Sequence, residues 1–235
     1  MGNDNLFYRR KQIRLQRISK EMNLRAETWL IICEGTKTEP NYFKSLFEYV
    51  NKTSANKINV KICGEGKNTT SLINSVEKYF DYYDHMANKS NIKYGKVFIV
   101  FDKDDFSNKA FNDSIDICKR KGYVALWSNE CIELWFVLHF EYLQSKIKRS
   151  QYMSKLSKLL NKEYVKNDNH FFNIDSINKI KTAYKNAVKL VNLHVNEKSY
   201  SNKKPCTTIY KLIDEINDYV NKDIFNVHKS SNQLL

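Results

Sequence analysis

Residues 96–105 read KVFIVFDKDD, and this stretch decides the fold class. Its five consecutive apolar residues, all β-branched or aromatic, are typical of a strand that is covered on both faces. Three carboxylates follow directly, at Asp102, Asp104 and Asp105. Because alternate residues of an extended chain share a side, we expect Asp102 and Asp104 to point together and Lys103 to point away from them. A buried strand that ends in acids predicts a ligand site at the carboxyl edge of an open sheet.

A similar apolar run, TWLIIC, occupies residues 28–33 and is followed by Glu34 and Gly35. Two more strand patterns lie at residues 58–62 and 123–127, and segments with apolar residues at helical spacing separate all four strands. This alternation is typical of a mostly parallel sheet with right-handed crossovers. The first and third strands are predicted to be central, whereas the second, which alternates apolar and polar residues, is predicted to lie near an edge.

Beyond residue 128 the apolar residues recur at helical spacing. We therefore predict an α/β fold, with a mostly parallel four-stranded sheet flanked by helices and a helical C-terminal half. The predicted regions are a basic N-terminal arm at residues 1–25, an α/β domain at 26–128, a helical region at 129–225 and a frayed polar tail at 226–235.

Capping residues set the predicted helix boundaries. Asp105 is a candidate N-cap for the helix after the third strand, which is the structural alternative to a role in a site. The first C-terminal helix is predicted at residues 129–140. The last is predicted at residues 205–220, with Thr207 or Thr208 as its cap.

The charge balance favours a polyanionic partner. The chain carries 39 Lys and Arg against 26 Asp and Glu, a formal net charge of +13. Nucleic acid is the commonest partner of such a chain, and a general compositional bias towards Lys and Asn is the alternative explanation. The arm contains seven Lys and Arg and either lies on phosphates or is a solvated leader. Its candidate phosphate contacts are Arg9, Arg10, Lys11, Arg14 and Arg17.

Other features indicate a reducing compartment. No apolar run reaches the eighteen or so residues of a membrane span, and no apolar stretch follows the N-terminal charges, so we expect neither a membrane segment nor a signal peptide. The five cysteines are scattered without a CxxC pair, which disfavours zinc and disulfides. A lone His139 on an apolar helix is interpreted as structural. We expect a cytoplasmic protein.

Acids at two buried strand ends predict a metal site. Clustered carboxylates repel one another, desolvation strengthens the repulsion, and a divalent cation relieves it. Oxygen-only ligands suit Mg²⁺ or Mn²⁺, which can polarise a phosphoryl oxygen and generate hydroxide. The candidate ligands are Glu34, Asp102 and Asp104, with catalytic support from Asp105.

Two further residues extend the candidate site. Lys37 follows Glu34 in a turn, where it either neutralises a phosphate or is a solvated turn lysine. Glu133 lies in an apolar helix and is predicted to share a helical face with Glu130. A carboxylate in such surroundings needs a partner, so Glu133 either supports the metal site or pairs with a basic residue of the helical half.

Several blocks of sequence, in their order, resemble the RloB family over roughly residues 28–220. They are CEGTKTEPNYF at 33–43, FDKDD at 101–105, SNECIELW at 128–135 with LHF at 138–140, and KPCTT at 204–208. The first two blocks also resemble the wider Toprim domain of topoisomerases, primases and OLD-type nucleases, in which a Glu follows the first strand and a DxD motif follows the third. The resemblance implies that the α/β domain is Toprim-like.

The resemblance also implies a chemistry and a setting. It implies that Glu34 acts in acid–base or metal chemistry and that Asp102 and Asp104 hold Mg²⁺. RloB-like proteins are encoded beside restriction or ATPase genes and are associated with phage defence. Related Toprim effectors cut nucleic acid, including transfer RNA.

The leading hypothesis is a Mg²⁺-dependent nuclease of RNA, transfer RNA included, or of DNA, acting in anti-phage defence. One alternative is a non-catalytic subunit that binds nucleic acid or a partner on a Toprim scaffold, because a fold does not fix a function. Another is an enzyme that makes or breaks a different phosphoester. The turn at residues 64–67 lacks the GxxxxGK[ST] spacing, so we expect a nearby ATPase to be a partner rather than part of this chain.

Overall fold

A five-stranded sheet forms the centre of the computed structural model, which describes residues 8–17, 19, 28–84, 94–104, 106–166 and 179–227. The spatial order is β2-β1-β3-β4-β5. The first four strands are parallel, and β5 is antiparallel to β4. The strands are β1 Thr28–Cys33, β2 Asn59–Gly64, β3 Lys96–Asp102, β4 Val124–Asn129 and β5 Cys206–Thr207. The predicted α/β class is confirmed, as are the central places of β1 and β3 and the edge position of β2.

Seven α-helices with well-defined bounds surround the sheet in the described part of the chain. Those that connect successive parallel strands are α1 Thr38–Thr53, α2 Thr69–Asp84 and α3 Asn108–Lys121. Those after β4 are α4 Glu133–Leu138, α5 Arg149–Leu160, α6 Ile180–Leu193 and α7 Tyr210–Val220. A short 3₁₀ helix covers Tyr200–Asn202. The C-terminal half is therefore largely helical, as predicted.

The sheet separates two hydrophobic cores. Along β1, Trp29 and Ile31 face one core, whereas Leu30 and Ile32 face the other, and all four are at most 2% exposed. Helices α1 and α4 to α7 cover the first face, and α2 and α3 cover the second. A strand that is buried on both faces must be apolar at every position, which explains the continuous runs in β1 and β3.

The fifth strand was not predicted from sequence. Residues 206–207, expected to begin the last helix, pair instead with Ser128 and Asn129 of β4. The Thr208 hydroxyl accepts a hydrogen bond from the Trp127 N–H at 2.8 Å, and α7 begins only at Tyr210. Neither Thr207 nor Thr208 is its cap, because both threonines are used to cover the open edge of β4.

The predicted starts of two other helices are wrong. Strand β4 continues to Asn129, so the helix predicted at residues 129–140 is shortened to α4. Helix α3 is capped by Ser107, whose hydroxyl accepts from the Ala110 N–H at 3.2 Å, and not by Asp105, which lies outside the described residues. Serine and aspartate both cap helices through a side-chain oxygen that accepts from a backbone N–H, so Ser107 takes the role that was predicted for Asp105.

The ends of the chain are described only in part. Residues 8–17 of the predicted arm are helical and exposed. Within the predicted tail, Val227 is 3% exposed and its N–H donates to Asp223 at 2.8 Å, so packing extends to this residue. Residues 228–235 lie outside the described part. None of the described helices is both long and apolar enough to cross a membrane. All five cysteines are free, and four of them are buried.

His139 is a core residue, in agreement with the sequence interpretation. It is 1% exposed, its Nδ1 lies 2.8 Å from the Trp135 carbonyl oxygen, and its ring meets the rings of Tyr42 and Trp135 edge-on. Burial, followed by the nearby charge of Lys179, lowers the pKa of His139 to about 4. The folded protein therefore holds this imidazole neutral.

The buried imidazole predicts a loss of stability in acid. The unfolded chain binds a proton near the ordinary histidine pKa of about 6.5, whereas the folded state resists protonation until about pH 4. The free energy of unfolding should therefore fall by on the order of 2 kcal/mol more in the wild type than in His139→Gln between about pH 7.5 and about pH 5. Urea denaturation of both proteins at both pH values measures this difference. A difference that stays constant with pH would contradict the assignment.

Candidate active site

Four carboxylates from four elements lie together at the carboxyl end of β1 and β3. Glu34 directly follows β1, Asp102 ends β3, Glu39 lies in the first turn of α1, and Glu133 is the first residue of α4. Three of them are almost fully buried: Glu39 is 7% exposed, Asp102 8% and Glu133 1%. The charges of the other three acids all act on Asp102, which places it at the centre of the cluster.

Glu34 and Asp102 are joined directly. The Glu34 Oε2 atom accepts a hydrogen bond from the Asp102 backbone N–H at 3.2 Å, and the Glu34 N–H donates to the Val100 carbonyl at 2.9 Å. Two adjacent buried strands therefore fix both acids, although 68 residues separate them in sequence. This brings together the two strand ends that the sequence predicted to form a site.

The environment resists ionisation of these acids. Desolvation raises the pKa of Glu34 to about 7, and the charge of Glu39 adds to this, while the Asp102 N–H and the charge of Arg149 oppose it. The pKa of Asp102 is raised well above its usual value, first by desolvation and then by the charges of Glu39, Glu133 and Glu34. Burial also raises the pKa of Glu39, with a contribution from Glu133. A carboxyl group whose pKa is close to 7 can both take up and release a proton at neutral pH.

Asp104 lies differently from the prediction. The chain turns after β3, and Asp104 adopts a positive φ of 33°, so it does not continue the extended strand beside Asp102. Its N–H donates to the Glu130 carbonyl at 3.1 Å, and its carboxylate pairs with the guanidinium of Arg149, the first residue of α5. Asp105 falls outside the described residues, so its predicted role stays a prediction.

Glu39 was missed in the sequence, although a signal was present. It precedes Tyr42, Phe43 and Leu46 by three, four and seven residues, so it shares the buried face of α1. Gly35 makes room for it, because a Cβ at Gly35 would stand 2.1 Å from Glu39 Oε2. A glycine two residues after the first strand and an acid on the apolar face of the next helix together indicate a carboxylate that is directed at the strand end.

Glu133 lies close both to the other acids and to a basic residue of the helical half, and its predicted support of a metal site stays a prediction. It lies beside Asp102 and Glu39, and its Oε1 is 3.8 Å from the Nζ of Lys166. Its Oε2 is buried and has no hydrogen-bond partner within the described part of the chain. Glu130 does not share a helical face with it, because Glu130 precedes α4 and pairs with Lys204 instead.

The remaining predicted residues lie at the surface. Lys37 is exposed at the position before α1. The arm residues Arg9, Arg10, Lys11, Arg14 and Arg17 are all exposed on the helical segment at residues 8–17. Contact of these side chains with nucleic acid stays a prediction.

The chemistry of the cluster fits a hard divalent cation. All four candidate donors are carboxylates, and desolvation together with the charges of the other three opposes ionisation of Asp102. Within the described part of the chain, one buried oxygen of Glu133 has no hydrogen-bond partner. Mg²⁺ and Mn²⁺ prefer such oxygen ligands. Among the described residues, the structure contains no group of three or more His, Cys, Asp or Glu side chains that could hold one metal ion in this conformation. Asp104, one predicted ligand, is paired with Arg149.

Comparison with known families identifies the chain. The sequence model of the RloB-like proteins matches residues 29–216. The chain belongs to the RloB-like protein family. The match includes every described residue of the carboxylate cluster of this RloB-like protein, as well as Arg149 and Lys166. No curated protein and no solved structure has significant similarity to it.

Desolvation of Glu34, with repulsion by Glu39 adding to it, predicts that Glu34→Gln stabilises the metal-free protein. Because the folded pKa of Glu34 is about 7 and the unfolded value about 4.5, this carboxylate costs stability as the pH rises between these values. We expect Glu34→Gln to raise the free energy of unfolding at about pH 8 by about 1–2 kcal/mol, a value reduced for partial solvent exposure. The gain should vanish near pH 4.5.

Urea denaturation in EDTA at both pH values checks this prediction. Glu77→Gln is the matched control, because Glu77 is an exposed glutamate of α2 whose pKa is lowered by its contact with Lys121. That substitution should leave stability at pH 8 unchanged or reduced. A Glu34→Gln protein that is less stable than the wild type at pH 8 would rule out the proposed repulsion.

Proposed function

We propose that this RloB-like protein is a metal-dependent nuclease that hydrolyses phosphodiester bonds in RNA, such as transfer RNA, or in DNA, as an effector of anti-phage defence. The observation that carries the proposal is the buried cluster of Glu34, Glu39, Asp102 and Glu133 at the carboxyl end of β1 and β3. Burying acids together destabilises a fold unless a cation or a proton neutralises their negative charge. Metal-assisted phosphoryl chemistry is a common use of such a cluster.

The proposed roles follow from burial and charge. Glu34 would serve either as the general base, to which its pKa of about 7 in the metal-free protein is suited, or as a metal ligand. Asp102 and Glu34 are the proposed metal ligands, and Asp104 is a third ligand when it is released from Arg149. Mg²⁺ or Mn²⁺, when bound, would polarise a phosphoryl oxygen and lower the pKa of water. Glu39 and Glu133 would supply further negative charge to balance the charge of the metal ion.

The distribution of charge supports a nucleic-acid substrate. Residues 26–138, which contain the acidic cluster, hold fifteen Lys and Arg and fifteen Asp and Glu. Residues 139–205 hold fourteen Lys and Arg against five Asp and Glu. The excess of positive charge is therefore concentrated in the helical half and in the arm. A phosphate backbone would be attracted to these two regions rather than to the sheet.

Helices α5 and α6 carry this charge beside the acids. Both pack against α4, which begins at Glu133, and neither contains an Asp or Glu. Their six basic residues are Arg149, Lys155, Lys158, Lys181, Lys185 and Lys189. We propose that the substrate backbone runs over these helices towards the carboxylate cluster, and that the arm adds further phosphate contacts.

An ATPase encoded nearby is the proposed partner. In the turn at residues 64–67, Lys67 is paired with Glu65, whose other oxygen accepts a hydrogen bond from Tyr79 at 2.6 Å. A lysine held in this way does not resemble the lysine of a phosphate-binding loop. Nucleotide-driven activation would then come from the partner and not from this chain.

A cleavage assay tests the nuclease proposal. Purified protein is incubated with plasmid, single-stranded DNA or total transfer RNA in Mg²⁺, Mn²⁺ or EDTA, with and without the neighbouring ATPase. We expect metal-dependent cleavage that falls at least about 100-fold in Glu34→Gln and in Asp102→Asn, because each removes a charge from the reacting centre. Asp113→Asn, an exposed aspartate on α3, is the control and should retain activity. Full activity of Asp102→Asn would overturn the assignment.

A non-catalytic binding subunit is the second candidate function. It is favoured by the pairing of Asp104 with Arg149, which neutralises one of the predicted ligands. This alternative predicts no cleavage under any of the conditions above. It also predicts nucleic-acid binding that weakens with salt, persists in EDTA and survives Glu34→Gln. Fluorescence anisotropy with labelled RNA and DNA, over a range of salt concentrations, measures this binding.

A further inference from the structure

Arg149 occupies a particular position at the mouth of the carboxylate cluster. It is the first residue of α5, and its guanidinium pairs with the Asp104 carboxylate in the turn after β3. The side chains are 37% and 32% exposed, so the pair lies at the boundary between the cluster and solvent. The charge of Arg149 also acts on Glu34, which places the guanidinium near the acid that directly follows β1.

The other described cations around the site are engaged differently. Lys204 pairs with Glu130, Lys166 is 3.8 Å from the buried Glu133, and the ammonium of Lys103 donates to the Phe106 carbonyl. Arg149, by contrast, pairs with Asp104, and its charge also acts on Glu34. Of these four cations, Arg149 is therefore the best placed to meet an anionic group that approaches the cluster from solvent.

We propose that Arg149 binds a phosphate of the substrate backbone, and that Asp104 holds it ready until the substrate arrives. This inference rests on the proposed function, because it names the residue that receives the phosphodiester. On binding, the guanidinium leaves the Asp104 carboxylate and donates two hydrogen bonds to the non-bridging oxygens of one phosphate. No covalent bond changes, and the Asp104 carboxylate is left free to serve the site.

The exchange is energetically reasonable. A half-exposed ion pair contributes only about 0–1 kcal/mol, because solvent screens the charges and two side chains lose freedom. A guanidinium matches a phosphate as well as a carboxylate, since its planar fork donates two parallel hydrogen bonds. A phosphate therefore replaces Asp104 at little cost, and the released carboxylate regains water.

The pairing also explains how an acidic site tolerates a polyanion. The four clustered carboxylates would repel a phosphate backbone at close range. A positive charge at the entrance that is paired with a partly exposed acid lowers that barrier. Arg149 lies at the start of α5, so it would also mark the point where a backbone running over α5 and α6 meets the reacting centre.

A double-mutant cycle measured by binding tests the proposal without requiring catalysis. Fluorescence anisotropy in EDTA compares the wild type, Arg149→Gln, Asp104→Asn and the double variant, with a labelled RNA hairpin and a single-stranded DNA of equal length. We expect Arg149→Gln to weaken binding about fivefold and to reduce the salt slope by about one phosphate contact. Asp104→Asn should tighten binding about threefold by releasing the guanidinium. In the Arg149→Gln background that gain should fall below about 1.5-fold.

Matched variants control for net charge and for folding. Arg120→Gln and Asp113→Asn remove one charge of each sign from α3 and should change affinity less than about twofold. Arg149→Lys keeps the charge but loses the planar fork, so its affinity should lie between those of the wild type and Arg149→Gln. Its intermediate value keeps the test decisive if Arg149→Gln is unstable in thermal unfolding.

The outcomes separate this inference from the proposed nuclease function. An equal gain from Asp104→Asn in both backgrounds would show that Arg149 is only a structural partner, and would overturn the inference alone. A wild-type protein that binds neither nucleic acid at low salt would overturn both proposals. A cycle with strong coupling in a protein that cleaves nothing would support Arg149 as the phosphate-binding residue and reject the nuclease.

Discussion

Repulsion among buried carboxylates is the constraint on which the rest of this structure depends. Glu34 and Asp102 are fixed at the ends of adjacent strands that are buried at every position after the first, so they cannot move apart without disrupting the core. Glu39 and Glu133 approach from two helices and increase the negative charge. The consequence is that the pKa values of Glu34, Glu39 and Asp102 are raised, at the ends of the two central strands. Perturbed carboxylates of this kind are concentrated at functional sites in proteins.

The packing around the cluster allows these acids to lie close together. Gly35 leaves space for Glu39, and a Cβ at Gly64 would stand 2.6 Å from the Gly35 carbonyl oxygen, so both glycines permit the close approach of β1, β2 and α1. Helix α4 is tied to α1 by the hydrogen bond from Trp135 Nε1 to the Tyr42 hydroxyl, at 2.6 Å. These contacts position Glu39 and Glu133 as firmly as the strands position the other two acids.

The helical half supplies what the sheet lacks. The α/β part is neutral overall, whereas residues 139–205 carry a large excess of positive charge, and two acid-free helices pack against the helix that begins at Glu133. Acidic chemistry and basic attraction are thus assigned to different segments that meet at the Asp104–Arg149 pair. This division separates the positive charge of the helices from the cluster of acids within one small protein.

From the sequence alone, one can predict the alternation of four strands with helices, the central places of β1 and β3, the edge position of β2, and the meeting of Glu34 with Asp102. These features follow from continuous apolar runs, whose periodicity and flanking acids are local. Only the tertiary structure decided the fifth strand, the inclusion of Glu39, and the turn that directs Asp104 towards Arg149. Each of these depends on partners that are distant in sequence, such as Arg149 at 45 positions from Asp104 and Trp127 at 81 positions from Thr208, and a local pattern does not specify such a contact. The local pattern of apolar residues determines where the acids at the strand ends lie, and contacts between distant residues determine which charges these acids face.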